Sequence, residues 1–357
     1  METPFVDFDR REWQTVESGT LEFALVGLGW WTREFVLPAI ESTSLARTTT
    51  VVSGSADKRQ QAIDEYETVT TGLDYEAFEA GEAADEYDAV YVCTPNAVHQ
   101  RSVAAAAERG AAILVEKPME ATVESAREIV ETVDATGAPT MVAYRMHTEP
   151  LVRYGRRLIR EGVIGDPRLV HGKNNQLLLD INDDPGQWRL HTDLSGYGTS
   201  VMDLGIYPLN TARFLLDADP VAVRSAMGSD HEAFADVPDE YATFEVEYEG
   251  DVLAAFAASQ NAADGSRLEI VGTEGTIRFE PAFHMETELT VEKDGVEYHL
   301  PGPDVDQMAE EFAYFANQVL AEDPFDADAR HGLQDMLAIE AIHEAAARGE
   351  RVTVPEV

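Results

Sequence analysis

The sequence predicts an α/β chain that joins a doubly wound parallel sheet to an α+β part with an open, largely antiparallel sheet. Two observations indicate this fold class. From residue 21 to residue 146, short apolar strands alternate with helices, which is typical of a parallel sheet covered on both faces. From residue 147 onward, several strands follow one another with turns and without helices between them, which favours antiparallel pairing.

The elements of the N-terminal part follow from apolar runs that end at turn residues. The first strand, Phe23–Val26, leads through a glycine turn into a helix that continues to Ile40. We predict further strands at 48–52, 89–93, 112–115 and 140–144, and further helices at 57–66, 98–109 and 122–136. Residues 21–146 are therefore a predicted nucleotide-binding domain.

The C-terminal part, residues 147–357, is predicted to bind the substrate and to carry the oligomer contact. We predict its helices at 150–161, 202–216, 306–320 and 332–347. We predict its strands at 242–248, 252–258, 268–271, 276–279, 288–292 and 296–300, with turns such as Glu249-Gly250-Asp251 between them. Residues 1–20 form a polar arm whose Phe5, Phe8 and Trp13 are expected to pack on the chain's own body or on a neighbouring subunit.

The charge of the chain is far from balanced, with 67 acidic against 26 basic residues and a formal net charge of -41. Such self-repulsion is tolerable where salt screens it, since the Debye length is about 3 Å at molar salt. Lysine, whose apolar stem is costly to expose in salt, occurs at four positions: Lys58, Lys117, Lys173 and Lys293. We expect a protein of an extreme halophile, and its charge disfavours nucleic acid and anionic membranes as partners.

Other features of the composition bear on the compartment. The single cysteine, Cys93, excludes an internal disulfide. No apolar run reaches the roughly 18 residues that span a bilayer. The first residues, Met1-Glu2-Thr3-Pro4, lack the basic and then apolar order of a signal peptide. We therefore expect a cytoplasmic protein.

A glycine turn stands between the first strand and the first helix, and it reads Gly27-Leu28-Gly29-Trp30-Trp31-Thr32. The first glycine permits a tight turn, and the second lets a pyrophosphate approach the backbone at the helix N-terminus. Thr32 replaces the third glycine of the dinucleotide fingerprint. Trp30 and Trp31 either border the nicotinamide or pack. The position of the turn in a regular alternation predicts a dinucleotide site.

The end of the second strand distinguishes NADP from NAD. An NAD enzyme places Asp or Glu there to bind the ribose 2′-hydroxyl. This chain has Ser53-Gly54-Ser55, followed by Lys58 and Arg59. Hydroxyls and cations favour a 2′-phosphate, which a carboxylate would repel. We predict NADP as the cofactor, with NAD bound at lower affinity.

Three further motifs carry a resemblance. They are Glu116-Lys117-Pro118 after one strand, Thr94-Pro95-Asn96-Ala97-Val98-His99 after an earlier one, and Asp203-Leu204-Gly205-Ile206-Tyr207-Pro208 in the C-terminal part. In this order and spacing, the chain from residue 21 resembles the Gfo/Idh/MocA oxidoreductases, in a haloarchaeal form. It is most similar to the glucose–fructose oxidoreductase and D-xylose 1-dehydrogenase-like branch, because 144–150 resembles that branch's domain-crossing segment and Tyr207 stands where many inositol dehydrogenases have His.

The resemblance implies a Rossmann domain joined to an open-sheet domain, and a set of site residues. The cofactor contacts are assigned to Gly27, Leu28, Gly29, Trp30, Trp31, Ser53, Gly54, Ser55, Lys58, Arg59, Thr94, Pro95, Asn96, His99, Glu116, Lys117 and Arg145. The candidate substrate ligands are Lys117, Tyr144, Lys173, Asn175, Arg189, Asp203 and Tyr207. No metal is expected, since the histidines lack metal-ligand spacing and hydride transfer needs none.

The implied chemistry is hydride transfer from a sugar carbon with removal of the hydroxyl proton. We assign Tyr207 as acid/base, because a phenol can serve as the base if a cation lowers its pKa. Lys117 is assigned as that cation and as a substrate ligand, and Asp203, one turn before Tyr207, as the orienting residue. Exchange of the roles of Lys117 and Tyr207 stays open. By resemblance, the bond before Pro118 is expected to be cis.

The predicted function is NADP-dependent oxidation of an aldopyranose at C1 to the lactone, with D-xylose as the favoured substrate and glucose as a second one. An alternative is a dihydrodiol or inositol-type polyol dehydrogenase that uses the same residues. Another alternative is a non-catalytic NADP-binding regulator, which would not need Lys117, Asp203 and Tyr207 together. A homodimer or homotetramer is expected, because an open sheet usually needs covering.

Overall fold

The computed structural model describes residues 10–300 and 302–357. The chain divides into two compact units. The first contains Gln14–Arg145 and Val305–Leu333, and the second contains Met146–Asp304, Gln334–Val357 and the described residues 10–13. Val305–Leu333 thus groups with the N-terminal unit, whereas the sequence-based boundaries had assigned it to 147–357. The expectations for Phe5 and Phe8 fall outside the described residues.

The first unit is built on a six-stranded parallel sheet in the order β3-β2-β1-β4-β5-β6. This order places the first strand beside the fourth, as in a doubly wound dinucleotide-binding sheet. The strands are β1 (Leu21–Val26), β2 (Ala46–Val52), β3 (Thr71–Leu73), β4 (Ala89–Val92), β5 (Ala112–Glu116) and β6 (Thr140–Ala143). The predicted parallel sheet is confirmed.

The second unit is built on a nine-stranded sheet in the order β14-β13-β12-β11-β7-β10-β9-β8-β15. All neighbours in it are antiparallel except β7 and β10. The strands are β7 (Pro167–Leu177), β8 (Pro220–Gly228), β9 (Tyr241–Tyr248), β10 (Val252–Ser259), β11 (Asn261–Gly272), β12 (Gly275–Phe279), β13 (Leu289–Lys293), β14 (Val296–Leu300) and β15 (Val352–Thr353). The largely antiparallel sheet is also confirmed.

The helices begin and end at residues that suit those positions. The hydroxyl of Thr122 accepts the N–H of Ser125 over 3.2 Å at the start of one helix, which ends at Gly137 in the left-handed conformation. The helices are α1 (Leu37–Ser42), α2 (Ala56–Glu65), α3 (Tyr75–Ala80), α4 (His99–Ala107), α5 (Val123–Thr136), α6 (Pro150–Arg160), α7 (Leu178–Ile181), α8 (Thr192–Ser195), α9 (Ile206–Leu216), α10 (Gln307–Ala321) and α11 (Ala329–Arg348).

Aromatic packing explains why α10 belongs to the first unit. The ring of Phe312 meets the ring of Phe23 edge-on at 5.4 Å and that of Tyr91 at 5.2 Å. Phe315 lies 5.7 Å from Phe23. These side chains are fully buried, and such aromatic pairs add to the burial of apolar area. The helix therefore completes the core around β1 and β4.

Two helical turns differ from the sequence-based prediction. The helices predicted around Phe35 and at 202–216 both open with a π-helical turn, Thr32–Val36 and Val201–Gly205. In the second turn, the N–H of Ile206 reaches back five residues to the carbonyl of Val201. The apolar period does not distinguish a single π turn from an α turn, and such turns are frequent at functional sites.

In the arm, Trp13 packs on the chain itself. Its ring lies 4.9 Å from the guanidinium carbon of Arg153 and 5.7 Å from that of Arg11. Arg153 also lies 3.9 Å from the carboxylate of Glu12. This part of the arm therefore contacts α6, which was one of the two locations that the sequence left open.

Candidate active site

The glycine turn after β1 has the geometry that a nucleotide requires. Gly27 has a φ of 102°, and a Cβ atom there would lie 2.1 Å from the carbonyl oxygen of Cys93. A Cβ at Gly29 would meet no atom within 4 Å. The first glycine is thus required by the fold, and the backbone at the second stands open. The turn fits a dinucleotide pyrophosphate at this edge of the sheet.

Thr32 explains the departure from the three-glycine fingerprint. Its hydroxyl is fully buried and donates to the carbonyl oxygen of Gly27 over 2.7 Å. The side chain thereby closes the turn. Beside it, Trp31 stacks on Phe35 at 4.6 Å, while Trp30 is 54% exposed. An exposed tryptophan at the mouth of the turn is available to a ligand, whereas Trp31 packs.

The end of β2 carries hydroxyls and cations, as the sequence indicated. Ser53 Oγ accepts the N–H of Ser55 at 3.2 Å, and Ser55 Oγ accepts the N–H of Lys58 at 3.4 Å, which caps α2. The guanidinium of Arg59 donates to the carbonyl of Ser53. Arg59 is therefore held at the strand end, and Gly54 is exposed beside it. These residues suit a 2′-phosphate.

His99, which was assigned as a cofactor contact, is held by two backbone carbonyl groups. It is fully buried, with Nε2 2.9 Å from the carbonyl of Thr94 and Nδ1 3.2 Å from that of Met119. Burial lowers the pKa of His99. The imidazole ties the loop after β4, which contains Pro95 and Asn96, to the loop after β5. We interpret it as support for those loops.

The Lys117–Pro118 bond is cis, as the resemblance implied. Before it, Glu116 accepts the hydroxyl of Tyr91 over 2.7 Å and the N–H of Lys117 over 3.1 Å. Burial raises the pKa of Glu116, and the Lys117 ammonium opposes that rise. The carboxyl group therefore holds the backbone from which Lys117 extends.

A buried titratable group that interacts with Glu116 was not predicted. Glu311 of α10 is buried, and burial together with Glu116 raises its pKa well above the ordinary value, against the effect of Arg145. Arg145, an assigned cofactor contact, is buried and donates to the amide oxygen of Gln307. The helical period could have revealed Glu311, since it falls on the apolar face of α10 next to Phe312.

In the second unit, Asp203 lies in the π turn and Tyr207 in the first turn of α9. Between them, a Cβ at Gly205 would lie 3.2 Å from the ring of Phe244, so a small residue lets this helix lie close to the sheet. The carboxylate of Asp239 accepts the N–H groups of Thr199 at 2.6 Å and Val201 at 2.8 Å. The start of the helix is thereby fixed.

The structure brings two donors to one oxygen of Asp203. Arg189 Nε lies 3.0 Å from Oδ2, and the amide Nε2 of Gln260 lies 3.0 Å from the same atom. Arg189 was a predicted substrate ligand, and its guanidinium also lies 4.5 Å from the ring of Trp188. Gln260 was missed, because nothing in its local sequence marks it. The ring of Tyr207 lies 5.8 Å from that of Phe283.

The remaining predicted substrate ligands lie in both units. Lys173 and Asn175 share one face of β7. Asn174 between them is buried, donates to the carbonyl of Leu204 at 3.3 Å and faces His284 at 3.0 Å. Tyr144 belongs to the first unit, as Lys117 does, and is buried.

Two family profiles match the chain in succession. Residues 21–144 match the oxidoreductase family profile with an NAD-binding Rossmann fold, and residues 152–278 match the GFO/IDH/MocA C-terminal domain. A D-xylose 1-dehydrogenase [NADP(+)] of Haloarcula marismortui is 48% identical over 342 residues, which are 95% of each chain. The chain belongs to the Gfo/Idh/MocA oxidoreductases. As in that family, it joins a Rossmann domain to a domain with an open sheet.

Two further relatives of this Gfo/Idh/MocA chain span most of its length. D-xylose 1-dehydrogenase (NADP(+)) 2 of Haloferax volcanii is 26% identical and covers 89% of this chain and 94% of the relative. The crystal structure of aldose-aldose oxidoreductase from Caulobacter crescentus, complexed with glycerol, superposes with a TM-score of 0.88 at 26% identity, covering 94% and 99% of the two chains.

Two negative findings apply to the described part of this Gfo/Idh/MocA chain, residues 10–300 and 302–357. None of its helices there is long and apolar enough to cross a membrane. No three His, Cys, Asp or Glu side chains there are grouped so that they could hold a metal ion.

Proposed function

We propose that the chain is an NADP-dependent D-xylose 1-dehydrogenase, which oxidises the sugar at C1 to the lactone and accepts glucose as a second aldose. The observation that carries this proposal is the 48% identity to the Haloarcula enzyme over 95% of both chains. A second relative named for the same activity comes from Haloferax volcanii. The acidic composition, with a net charge of -41, supports action in a salt-rich cytoplasm.

The cofactor proposal rests on the fit of the first unit to NADP. The open backbone at Gly29 suits the pyrophosphate, and Ser55, Lys58 and Arg59 suit the 2′-phosphate. We assign the loops around Asn96 and Lys117, which follow β4 and β5, to the nicotinamide end. When bound, the cofactor supplies a hydride acceptor. The protein's part is to orient the sugar and to receive the hydroxyl proton.

We assign the proton transfer to Tyr207, whose phenolate oxygen takes the proton of the C1 hydroxyl and becomes the neutral phenol. Asp203 orients a sugar hydroxyl by accepting its hydrogen bond, with Arg189 and Gln260 bonded to Oδ2. Lys117 is assigned as a substrate ligand and as the activator of the phenol. Two observations support these roles. Asp203 and Tyr207 lie at the anchored start of α9, and Lys117 follows the end of β5, where ligands of such sheets bind.

Lys173 and Asn175 are proposed to bind sugar hydroxyls from β7, since both extend from one face of that strand. Tyr144 is assigned to the same ligand set. Polar groups at fixed positions give a sugar site its specificity, because each hydroxyl that finds no partner weakens binding. We therefore propose that these side chains determine whether the site binds aldoses or inositols.

A homodimer, or a homotetramer built from it, is proposed for the assembly. The support is the exposed face of the nine-stranded sheet, where Leu169 and Leu253 are directly paired and 41% and 53% exposed. A stable interface buries roughly 800 Å² on each partner, which the exposed face of a nine-stranded sheet can supply. Light scattering in concentrated KCl tests it, and Leu253→Glu is expected to yield monomers. A monomeric unsubstituted protein contradicts the proposal.

The direct test of the reaction is product analysis. Purified protein in concentrated KCl is incubated with D-xylose and NADP, and the sugar product is identified by mass spectrometry. We expect the lactone or its hydrolysed acid, formed in equal amount to NADPH. A ketose, or oxidation of a polyol without oxidation of any aldose, would instead support the diol or inositol alternative.

A further inference from the structure

Gln260 lies at the junction of β10 and β11, fully buried, and all its polar groups are engaged. Its Nε2 donates to Oδ2 of Asp203 at 3.0 Å, and its Oε1 accepts from Nε2 of Gln176 at 2.7 Å. Its backbone N–H donates to Oγ of Ser200 at 2.9 Å, and its carbonyl accepts the N–H of Leu178 at 2.9 Å. The side chain therefore has one available orientation.

The chemistry of the two partners fixes which end of the amide faces Asp203. An ionised carboxylate only accepts hydrogen bonds, so the NH₂ end must face it. Gln176 donates to the opposite end, which agrees with this orientation. An isosteric carboxylic acid could make the same bond only while it carries its proton.

We propose that Gln260 is a positioning residue for the dehydrogenase reaction, because its amide holds the Asp203 carboxylate in the orientation that binds the sugar hydroxyl. This inference rests on the proposed function, in which Asp203 orients the substrate. Buried hydrogen-bonding partners that lock a ligand-binding side chain are a general requirement of precise sites.

Arg189 does not make Gln260 redundant. The side chain of Arg189 is 34% exposed, and its guanidinium also makes a cation–π contact with the ring of Trp188. A partly exposed arginine has rotamer freedom, whereas the side chain of Gln260 is fully buried and its Oε1 is also held by Gln176. Arg189 therefore supplies charge, and Gln260 supplies the fixed direction of the hydrogen bond.

Few charged groups face Gln260. Besides Asp203 and Arg189, the neighbouring Glu240 accepts the backbone N–H of Gln260 through its carbonyl at 3.1 Å. The Glu240 carboxylate itself accepts from Nδ2 of Asn261 at 2.6 Å and from the N–H groups of residues 230 and 231. Because Nε2 of Gln260 lies 3.0 Å from Oδ2 of Asp203, a carboxyl group introduced at position 260 would lie within hydrogen-bonding distance of that carboxylate. The two like charges would then raise the pKa of one of the two groups.

The variant that tests this is Gln260→Glu, assayed with D-xylose and NADP across a range of pH. When the new carboxyl group is ionised, the donor is lost, and we expect kcat to fall about tenfold to about a hundredfold with little change in the KM for NADP. As the pH decreases, the protonated acid donates again, so the ratio of variant to unsubstituted kcat rises. A ratio that stays constant with pH overturns the proposal.

The control is Gln318→Glu, a buried glutamine of α10 that donates to the carbonyl of Pro324 over 2.8 Å. It places the same substitution at a buried glutamine away from Asp203, and we expect its kcat ratio to stay near one without pH dependence. Crystal structures of the unsubstituted protein and Gln260→Leu separate this inference from the reaction itself. A changed Asp203 rotamer in an unchanged fold supports positioning even if D-xylose is not the substrate, and an unchanged rotamer contradicts it.

Discussion

Arg189 donates its Nε–H to Oδ2 of Asp203 over 3.0 Å, and the two side chains are 34% and 17% exposed. The pair is partly buried in the second unit, and solvent reaches the arginine more than the carboxylate. Ion pairs that solvent still reaches contribute little to folding, so we expect this one to have more consequence for the ligand than for stability. The guanidinium places a positive charge beside the Asp203 carboxylate, and the proposed sugar contact depends on that carboxylate.

Arg189→Met retains the apolar stem and removes the guanidinium. Hydrogen bonds to charged groups contribute about 1.5 kcal/mol or more, so we expect kcat/KM for D-xylose to fall at least about tenfold. The KM for NADP should stay the same. Arg168→Met, which removes an exposed pair with Asp166, is the control and should leave kinetics unchanged. Equal losses in the two variants would contradict a role at the site.

Tyr207→Phe removes only the phenol oxygen. If that oxygen carries the proton, kcat should fall about a hundredfold to about ten-thousandfold, while NADP binding measured by fluorescence stays intact. Tyr298→Phe on β14 is the control and should retain full turnover. Retained turnover in Tyr207→Phe would move the acid/base role to Lys117, for which Lys117→Met then gives the corresponding loss.

Lys58→Met tests cofactor choice. The variant loses one proposed charged contact to the 2′-phosphate, so the KM for NADP should rise roughly tenfold, as expected for about 1.5 kcal/mol. The KM for NAD, which lacks that phosphate, serves as the internal control and should not change. Since concentrated salt screens long-range attraction, the effect measures the direct contact. Parallel changes in both KM values would argue against 2′-phosphate recognition by Lys58.

Glu120 makes folding stability depend on pH. Its side chain is buried, and burial raises its pKa from 4.5 to about 7, against hydrogen bonds from the N–H groups of Ala121 and Gln100. Between these two values the folded state binds more protons than the unfolded state. The contribution of Glu120 to the free energy of unfolding is therefore fully present below about pH 4.5, and it is lost as the pH rises through about 7, by up to about 3 kcal/mol.

Glu120→Gln cannot titrate, so its free energy of unfolding should fall less steeply over this range than that of the unsubstituted protein. Denaturation at constant KCl between about pH 5 and about pH 8 measures both slopes. Glu124→Gln, at an exposed position in the first turn of α5, should retain the original slope. If Glu120→Gln has the same slope as the unsubstituted protein, the titration belongs to another group.

Much of the fold was predictable because the apolar runs in the sequence coincide with the strands of the two sheets. Strand and helix alternation predicted the parallel sheet, and consecutive strands predicted the second one. The short elements Thr71–Leu73 and Tyr75–Ala80, and the strand Pro220–Gly228, were not predicted, since they are brief or lack clear alternation. The placement of residues 305–333 in the first unit was not predicted either. It depends on the packing of Phe312 against Phe23, which is a tertiary contact.

The site was predictable where chemistry follows a strand end or a named motif. The glycine turn, the cis bond before Pro118 and the cations after β2 belong to this class. Gln260 does not, because it acts through Asp203, a partner far away in the sequence. His99 was assigned to the cofactor from its motif, and its hydrogen bonds to two carbonyl groups, which the motif did not predict, depend on tertiary structure.

The central claim is tested most directly by kcat/KM for a panel of aldoses and polyols, each assayed with NADP and with NAD in concentrated KCl. The proposed function predicts the highest value for D-xylose with NADP, a lower value for glucose and little activity with inositols. No NADPH formation with any aldose, or a higher kcat/KM for a polyol, would contradict it.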